Sequence, residues 1–121
     1  MYQFAIVALL ALAVVKLVDF IDAREPQLTA YSFHIDEEAA RMTVVAVHPD
    51  SASLELHLEI GGPEFRKLAH LISLTAIEVY GRPSDKALEQ LRQKAAALGD
   101  EGSVISTGRY AGFSRVTSAT T

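Results

Sequence analysis

The chain has no cysteine, no tryptophan and no asparagine among its 121 residues, and only 7 glycines and 4 prolines. Without cysteine there are no disulfide frameworks, no thiolate nucleophiles and no thiolate-bound zinc or iron–sulfur centres. Basic residues are also scarce, 11 against 15 acidic ones, for a net charge of −4. A nucleic-acid binder needs a basic face to displace phosphate counterions, so this balance excludes that class. Few breakers, 21% charged residues and 50% apolar ones speak against disorder. What is present is enough chain for one domain, residues 1–121, with a core that needs no staple. The expected setting is a soluble, cytoplasmic domain.

Long apolar runs are confined to the N-terminus, where Phe4 to Val15 reads FAIVALLALAVV. A membrane span needs about 20 apolar residues, and Lys16 and Asp19 interrupt this run. Ala11-Leu12-Ala13 has the form of a signal-peptidase site, but Met1-Tyr2-Gln3 lacks the positive charge of a signal peptide. The third reading is a folded element. Strand and helix compete for it, but alanine and leucine favour helix and no turn residue breaks Phe4 to Ala23, so the apolar N-terminal segment (1–24) is read as carrying one helix of about twenty residues. Val14, Leu17, Val18 and Ile21 then share a stripe, with Lys16, Asp19 and Asp22 towards water. The first half of that helix is apolar all round and calls for cover by a partner subunit or by lipid. Pro26 ends the helix.

Farther on, Leu28 to Ile35 and Met42 to Val47 are rich in β-branched and aromatic residues and predict a hairpin. His48-Pro49-Asp50-Ser51 supplies a turn and an N-cap for a helix over Ser51 to Ile60. Gly61-Gly62 predicts its end, and Pro63 a second helix with Phe65, Leu68, Ala69 and Ile72 on one face. Ala76 to Tyr80 alternates as a strand. Gly81-Arg82-Pro83-Ser84 turns into a helix from about Asp85 to Leu98, with Gly99 as its stop. Val104 to Val116 predicts an irregular last strand, and residues 117–121 a flexible tail.

The four histidines are the side chains that titrate near neutrality. His57 sits among Leu54, Leu56, Leu58 and Ile60 on its helix, and is either a satisfied core histidine or a catalytic base in a pocket. His34 points to the side of its strand shared by Ser32 and Asp36. The pair His34-x-Asp36 has metal-ligand spacing, but nothing completes a coordination set, so no metal is expected. His48 ends a strand, where it makes a loop contact or a pocket rim. Tyr31 and Phe33 share a strand face and Tyr80 ends another strand, positions that serve sheet packing or substrate stacking. No nucleophile elbow or phosphate loop is present.

Ala23-Arg24-Glu25-Pro26, Leu28 to Tyr31, Met42 to Val45, His48 to Leu54 with His57, Ile77 to Ser84 and Ala111 to Arg115 recur in one order. That order resembles the antibiotic biosynthesis monooxygenase-like family, over residues 14 to 116. The resemblance implies an α+β, ferredoxin-like antiparallel sheet with helices on one face, paired as a homodimer into a dimeric α+β barrel. It implies oxygenation of a small quinol-like or polyphenolic aromatic without any cofactor. In that reading His57 is the catalytic residue, and Tyr31, Phe33, His34, His48 and Tyr80 contact substrate. The alternative is a non-catalytic homodimer on the same fold that binds a small ligand or a partner. Two departures stand out. The family begins with a central strand, for which only Met1 to Leu10 is available here, so either those residues form it despite their alanine and leucine content or the strand is missing and the sheet incomplete; and the absence of asparagine and tryptophan speaks against the haem-degrading branch.

Overall fold

The computed structural model describes residues 2–99, 103–113 and 115, with the side chains of 2–9 and 103 left aside. The expected flexible tail, 117–121, lies outside the described residues. The architecture is α+β: α1 (Tyr2–Arg24), β1 (Ala30–Asp36), β2 (Arg41–Val47), α2 (Ser51–Arg66), a 3-10 turn (Ala69–Leu71), β3 (Ala76–Tyr80), α3 (Asp85–Leu98) and β4 (Ser103–Thr107).

The apolar N-terminal segment is helical, and it stops at Arg24, ahead of the residue that precedes Pro26. Val14, Leu17 and Ile21 are buried, while Lys16, Asp19 and Asp22 face water. Leu12 and Val15 remain more than half exposed, so the cover that this half of the helix calls for does not come from the described part of the chain. Among the described residues no helix is long and apolar enough to cross a membrane.

β1 and β2 form the expected hairpin, in antiparallel register from Ala30 opposite Val47 to Asp36 opposite Arg41. The Asp36 carboxylate accepts from the Ala39 amide at 3.1 Å, and Ala40 takes a left-handed conformation (φ 51°) to close the loop. The inner face, Tyr31, Phe33, Met42 and Val44, packs on a core built from Leu10, Val14, Leu17, Ile21, Phe65, Leu68 and Leu98. Each such side chain contributes about 1.5–3 kcal/mol by leaving water.

Asp50 caps α2, its carboxylate accepting from the Ser53 amide at 2.8 Å. The helix does not end at Gly61-Gly62. It runs unbroken through Pro63 to Arg66, which corrects the two-helix expectation. The reason is tertiary. A β-carbon on Gly61 falls 2.9 Å from Ile21 Cδ1 and 3.5 Å from the His57 ring, so this glycine serves close approach of α1 to α2. The second helix expected from Pro63 is replaced by the short 3-10 turn and an extended Ile72.

β3 and α3 lie where the pattern places them, with the Ser84 hydroxyl accepting from the Ala87 amide at 3.1 Å. Ala87, Leu91, Ala95 and Leu98 are the buried stripe of α3. The last strand is shorter than expected, five residues ending at Thr107. β4 pairs parallel with β3, as a strand that returns across a helix does. The described strands thus form two separate two-stranded sheets, one antiparallel and one parallel, in place of a single antiparallel sheet.

Candidate functional site

The site begins at the residue that α1 releases. Glu25 closes the helix with its amide on the Ile21 carbonyl at 2.8 Å, and Pro26 then turns the chain towards the hairpin. The Glu25 side chain is completely buried, and its two oxygens lie 2.8 and 3.1 Å from His57 Nδ1. Gln27 Nε2 also donates to it at 3.3 Å. His57 reaches Glu25 from the face of α2 that carries Ser53, Gly61 and Phe65, and the bare Gly61 makes room for ring and carboxylate together.

The imidazole is 90% buried, and its Nε2 has no hydrogen-bond partner among the described residues. Tyr31 meets the ring edge-on at 5.2 Å. Phe33 meets Tyr31 at 5.2 Å and stacks towards Phe65 at 6.5 Å. His48 completes the group, with its ring 5.3 Å from that of His57 and its Nδ1 2.8 Å from the Ser53 hydroxyl. The other nitrogen of His48 is buried with no partner among the described residues. Lys94, from α3, places its ammonium 4.2 Å over the Phe65 ring.

Burial dominates the electrostatics. It pulls the His57 imidazole well below its usual value, with the Lys94 ammonium adding to the effect. Burial raises the Glu25 carboxyl, partly offset by Gln27. Lowered to about 4, the imidazole is neutral at pH 7; an ionised Glu25 accepts from its Nδ1–H and leaves the lone pair on Nε2. Burial and the neighbouring His57 take His48 down to about 4, against a small opposing effect of Asp50. Burial and then the Glu25 charge push the Tyr31 phenol far up, so Tyr31 acts as a hydroxyl and not as a base. Burial also lowers Lys94 to about 8.

Of the six residues singled out from sequence, the fold brings together His57, Tyr31, Phe33 and His48. His34 is exposed on the opposite face of the hairpin, bonded to the Ser32 hydroxyl at 3.0 Å. Tyr80 is 81% exposed, its hydroxyl donating to Glu78 at 2.6 Å. Neither joins the group. Two members were invisible to pattern reading. Glu25 lies 32 residues from His57 in sequence, and only its place between a helix end and a proline marks it. Lys94 falls three residues after Leu91 on an apolar stripe, which is the available signal for a lysine turned inwards.

A cavity of about 180 Å³ opens beside the group, against Val18, Ile21, Leu28, Glu25 and Tyr31. Neither His57 nor His48 lines it. A second concavity, of about 370 Å³, lies between Tyr80 and Tyr110. No group of three or more metal-ligating side chains occurs among the described residues. Chemically, an oriented neutral imidazole among aromatic rings can remove a proton from a weakly acidic aromatic hydroxyl. Comparison with protein-family models, curated proteins and solved structures gives no match to this chain.

Proposed function

We propose that the chain is an oxidoreductase that oxygenates a small quinol-like or polyphenolic aromatic without a cofactor, in the manner of the antibiotic biosynthesis monooxygenase-like family. The observation that carries this reading is the buried Glu25–His57 pair, whose imidazole Tyr31 meets edge-on at 5.2 Å. His57 Nε2 takes the substrate's hydroxyl proton, and Glu25 is the positioning residue that holds the ring and its tautomer. Dioxygen is the oxidant, and the electron-rich phenolate is its reductant. A dry aromatic site favours that electron transfer by excluding competing reactions. The reading includes a cytoplasmic location and the pairing of two α+β subunits into a homodimer. Support for pairing comes from two sheets with open edges and from the outward Val45 and Val47 of the hairpin, each more than 40% exposed.

Oxygen consumption with a panel of hydroquinones, in the presence of chelator, tests the reading. Uptake by the wild type that His57→Ala abolishes is the expected result. No uptake with any member of the panel refutes it. The second reading, a homodimer that binds a small ligand without turnover, is favoured by the position of the 180 Å³ cavity, which touches Glu25 and Tyr31 but not His57. Ligand binding without oxygen uptake selects that alternative.

A further inference from the structure

Two tyrosines at one end of the β3–α3–β4 unit pack on almost nothing. Tyr80 is 81% exposed, and Tyr110 is completely so. Large aromatic side chains gathered in water mark a surface that something else covers. Between them lies the concavity of about 370 Å³, lined by Tyr80, Thr107, Gly108, Arg109, Tyr110 and Ala111. That volume is in the range of small-molecule sites, about 300–1,000 Å³. No residue of the Glu25–His57 group lines it.

Its position follows from the topology. β3 and β4 run parallel, joined through α3, and both end here, at Tyr80 and Thr107. Parallel strands bring their carboxyl ends to one side, and the crevice beyond those ends is where such units bind ligands. Two hydrogen bonds tie the strand ends together. The Gly81 amide donates to the Thr107 carbonyl at 2.7 Å, and the Ser106 hydroxyl donates to the Gly81 carbonyl at 3.1 Å. Gly108 lets the Arg82 side chain lie against the chain after β4, since a β-carbon there falls 3.2 Å from Arg82 Nε. Arg82 and Arg109 thus meet beside the concavity, and neither forms an ion pair among the described residues. The carboxylate closest in sequence, Glu78, accepts from the Tyr80 hydroxyl at 2.6 Å. Beyond it, residues 102–121 include Arg109 and Arg115 and no acidic side chain.

We infer that this concavity binds a flat aromatic ring that carries an oxyanion, either a carboxylate or a phosphate. The ring lies against Tyr80 and Tyr110. The anion pairs with the Arg109 guanidinium, with Arg82 beside it, because the planar fork of an arginine matches two oxygens of either group at once. Glu78 repels an anion placed at the Tyr80 hydroxyl, which sets the charged end of the ligand towards the arginines. The site holds no base or nucleophile. It binds without turnover and does not depend on the oxygenase reading.

The test is titration of the ¹⁵N-labelled full chain, followed by amide chemical shifts, with benzoate, phenyl phosphate, benzamide and cyclohexanecarboxylate as probes. Benzoate is expected to move the amides of Gly108 to Ala111 with a dissociation constant of about 1 mM, the strength of a weak single-ring ligand. Benzamide lacks the charge and cyclohexanecarboxylate the flat ring, and each is expected to bind about tenfold more weakly. Phenyl phosphate binding more tightly than benzoate identifies a phosphate ester as the ligand, and the reverse order a carboxylic acid. Arg109→Gln and Tyr110→Ala alter exposed side chains and leave the fold intact, and each is expected to weaken benzoate about tenfold. Benzoate that moves none of these amides overturns the site. So does equal binding of benzamide or of cyclohexanecarboxylate, or an Arg109→Gln variant that binds benzoate as the wild type does. Oxygen uptake is a separate measurement, so its absence removes the oxygenase and leaves this site, and uptake without benzoate binding does the opposite.

Discussion

The two halves of the molecule treat polarity in opposite ways. From α1 to α2, polar groups are taken inside: Glu25, Ser53 and His57 are buried, and Glu25 and Ser53 each hold a histidine in place. From β3 onwards, the buried residues among those described are Ala87, Leu91, Ala95 and Leu98, and large side chains are left outside, with Tyr80, Ile105, Tyr110 and Phe113 all more than half exposed. The halves meet through α2 and α3, where Lys86 bridges Glu55 and Glu59 and Gln90 reaches the Glu55 carbonyl. A core with no ionisable group is the cheaper way to stability. The half that departs from it is where chemistry is expected, and the other half serves as its support.

The largest effect should separate the halves by packing alone. Ile21 is 1% exposed, between α2 and the Gly61 gap, and Ile105 on β4 is 51% exposed. Ile21→Ala should cost about 3–4 kcal/mol, through lost burial and a cavity that α1 cannot close. Ile105→Ala should cost less than about 0.5 kcal/mol. Urea denaturation of both variants checks this, and equal losses would show that the halves do not differ in this respect.

A smaller effect separates the two members of the buried pair. His57→Ala leaves a void and a buried carboxylate without its main donor, and should cost about 2–4 kcal/mol while ending turnover. Glu25→Gln keeps the volume and an acceptor oxygen, and should cost about 1–2 kcal/mol. If Glu25 positions the ring, this variant lowers kcat far more than it raises KM. If its role is structural only, kcat stays close to the wild type once the protein is folded.

Much of the support half was legible from local pattern. The Ser84 cap, the Gly99 stop and the alternation of Ala76 to Tyr80 are short-range signals, and they place α3 and β3 correctly. The helix from Tyr2 to Arg24 was also readable, because alanine-rich runs without breakers have one good local solution. Gly61-Gly62-Pro63 misled for the converse reason. Local propensity predicts a break there, but contacts with Ile21 and His57 outweigh it. The site itself was half legible. Tyr31, Phe33, His48 and His57 have residue types that draw notice, whereas Glu25 becomes meaningful only when the fold brings α1 against α2. The parallel pairing of β3 with β4 has no sequence signature in strands so short.

A weaker effect appears in the response to acid. His48 and His57 have folded values below the ordinary 6.5. The unfolded chain therefore binds protons before the native state does as pH falls from 6.5. Stability contributed by the two neutral imidazoles is full above 6.5 and is lost as pH falls towards 4, by at most about 1.4 kcal/mol per pH unit for each ring. Glu25 acts in the other direction. Its raised value means stability that is present below the ordinary 4.5 and lost as pH rises through the folded value, so it softens the slope in the lower part of the window. Denaturation midpoints at pH 7, 6 and 5 should fall in that order, and in a His48→Phe, His57→Phe double variant the fall should be much reduced. An unchanged slope in that variant would assign the acid sensitivity to other groups.

The smallest effect belongs to Lys94, the one polar side chain that the support half aims at the site. Its ammonium over Phe65 is desolvated, and no carboxylate bonds it among the described residues. Removing it sets lost cation–π attraction against relief of a desolvated charge, so Lys94→Met should change stability by less than about 1 kcal/mol in either direction. Its effect on the site has a definite sign. The positive charge disfavours protonation of His57, second to burial, and its loss should move the His57 titration upwards while leaving burial in control. Histidine nitrogen shifts followed from pH 7 to pH 3 read this directly. An upward move for His57 shows that α3 acts on the site through charge, and a value that stays put reduces α3 to packing support.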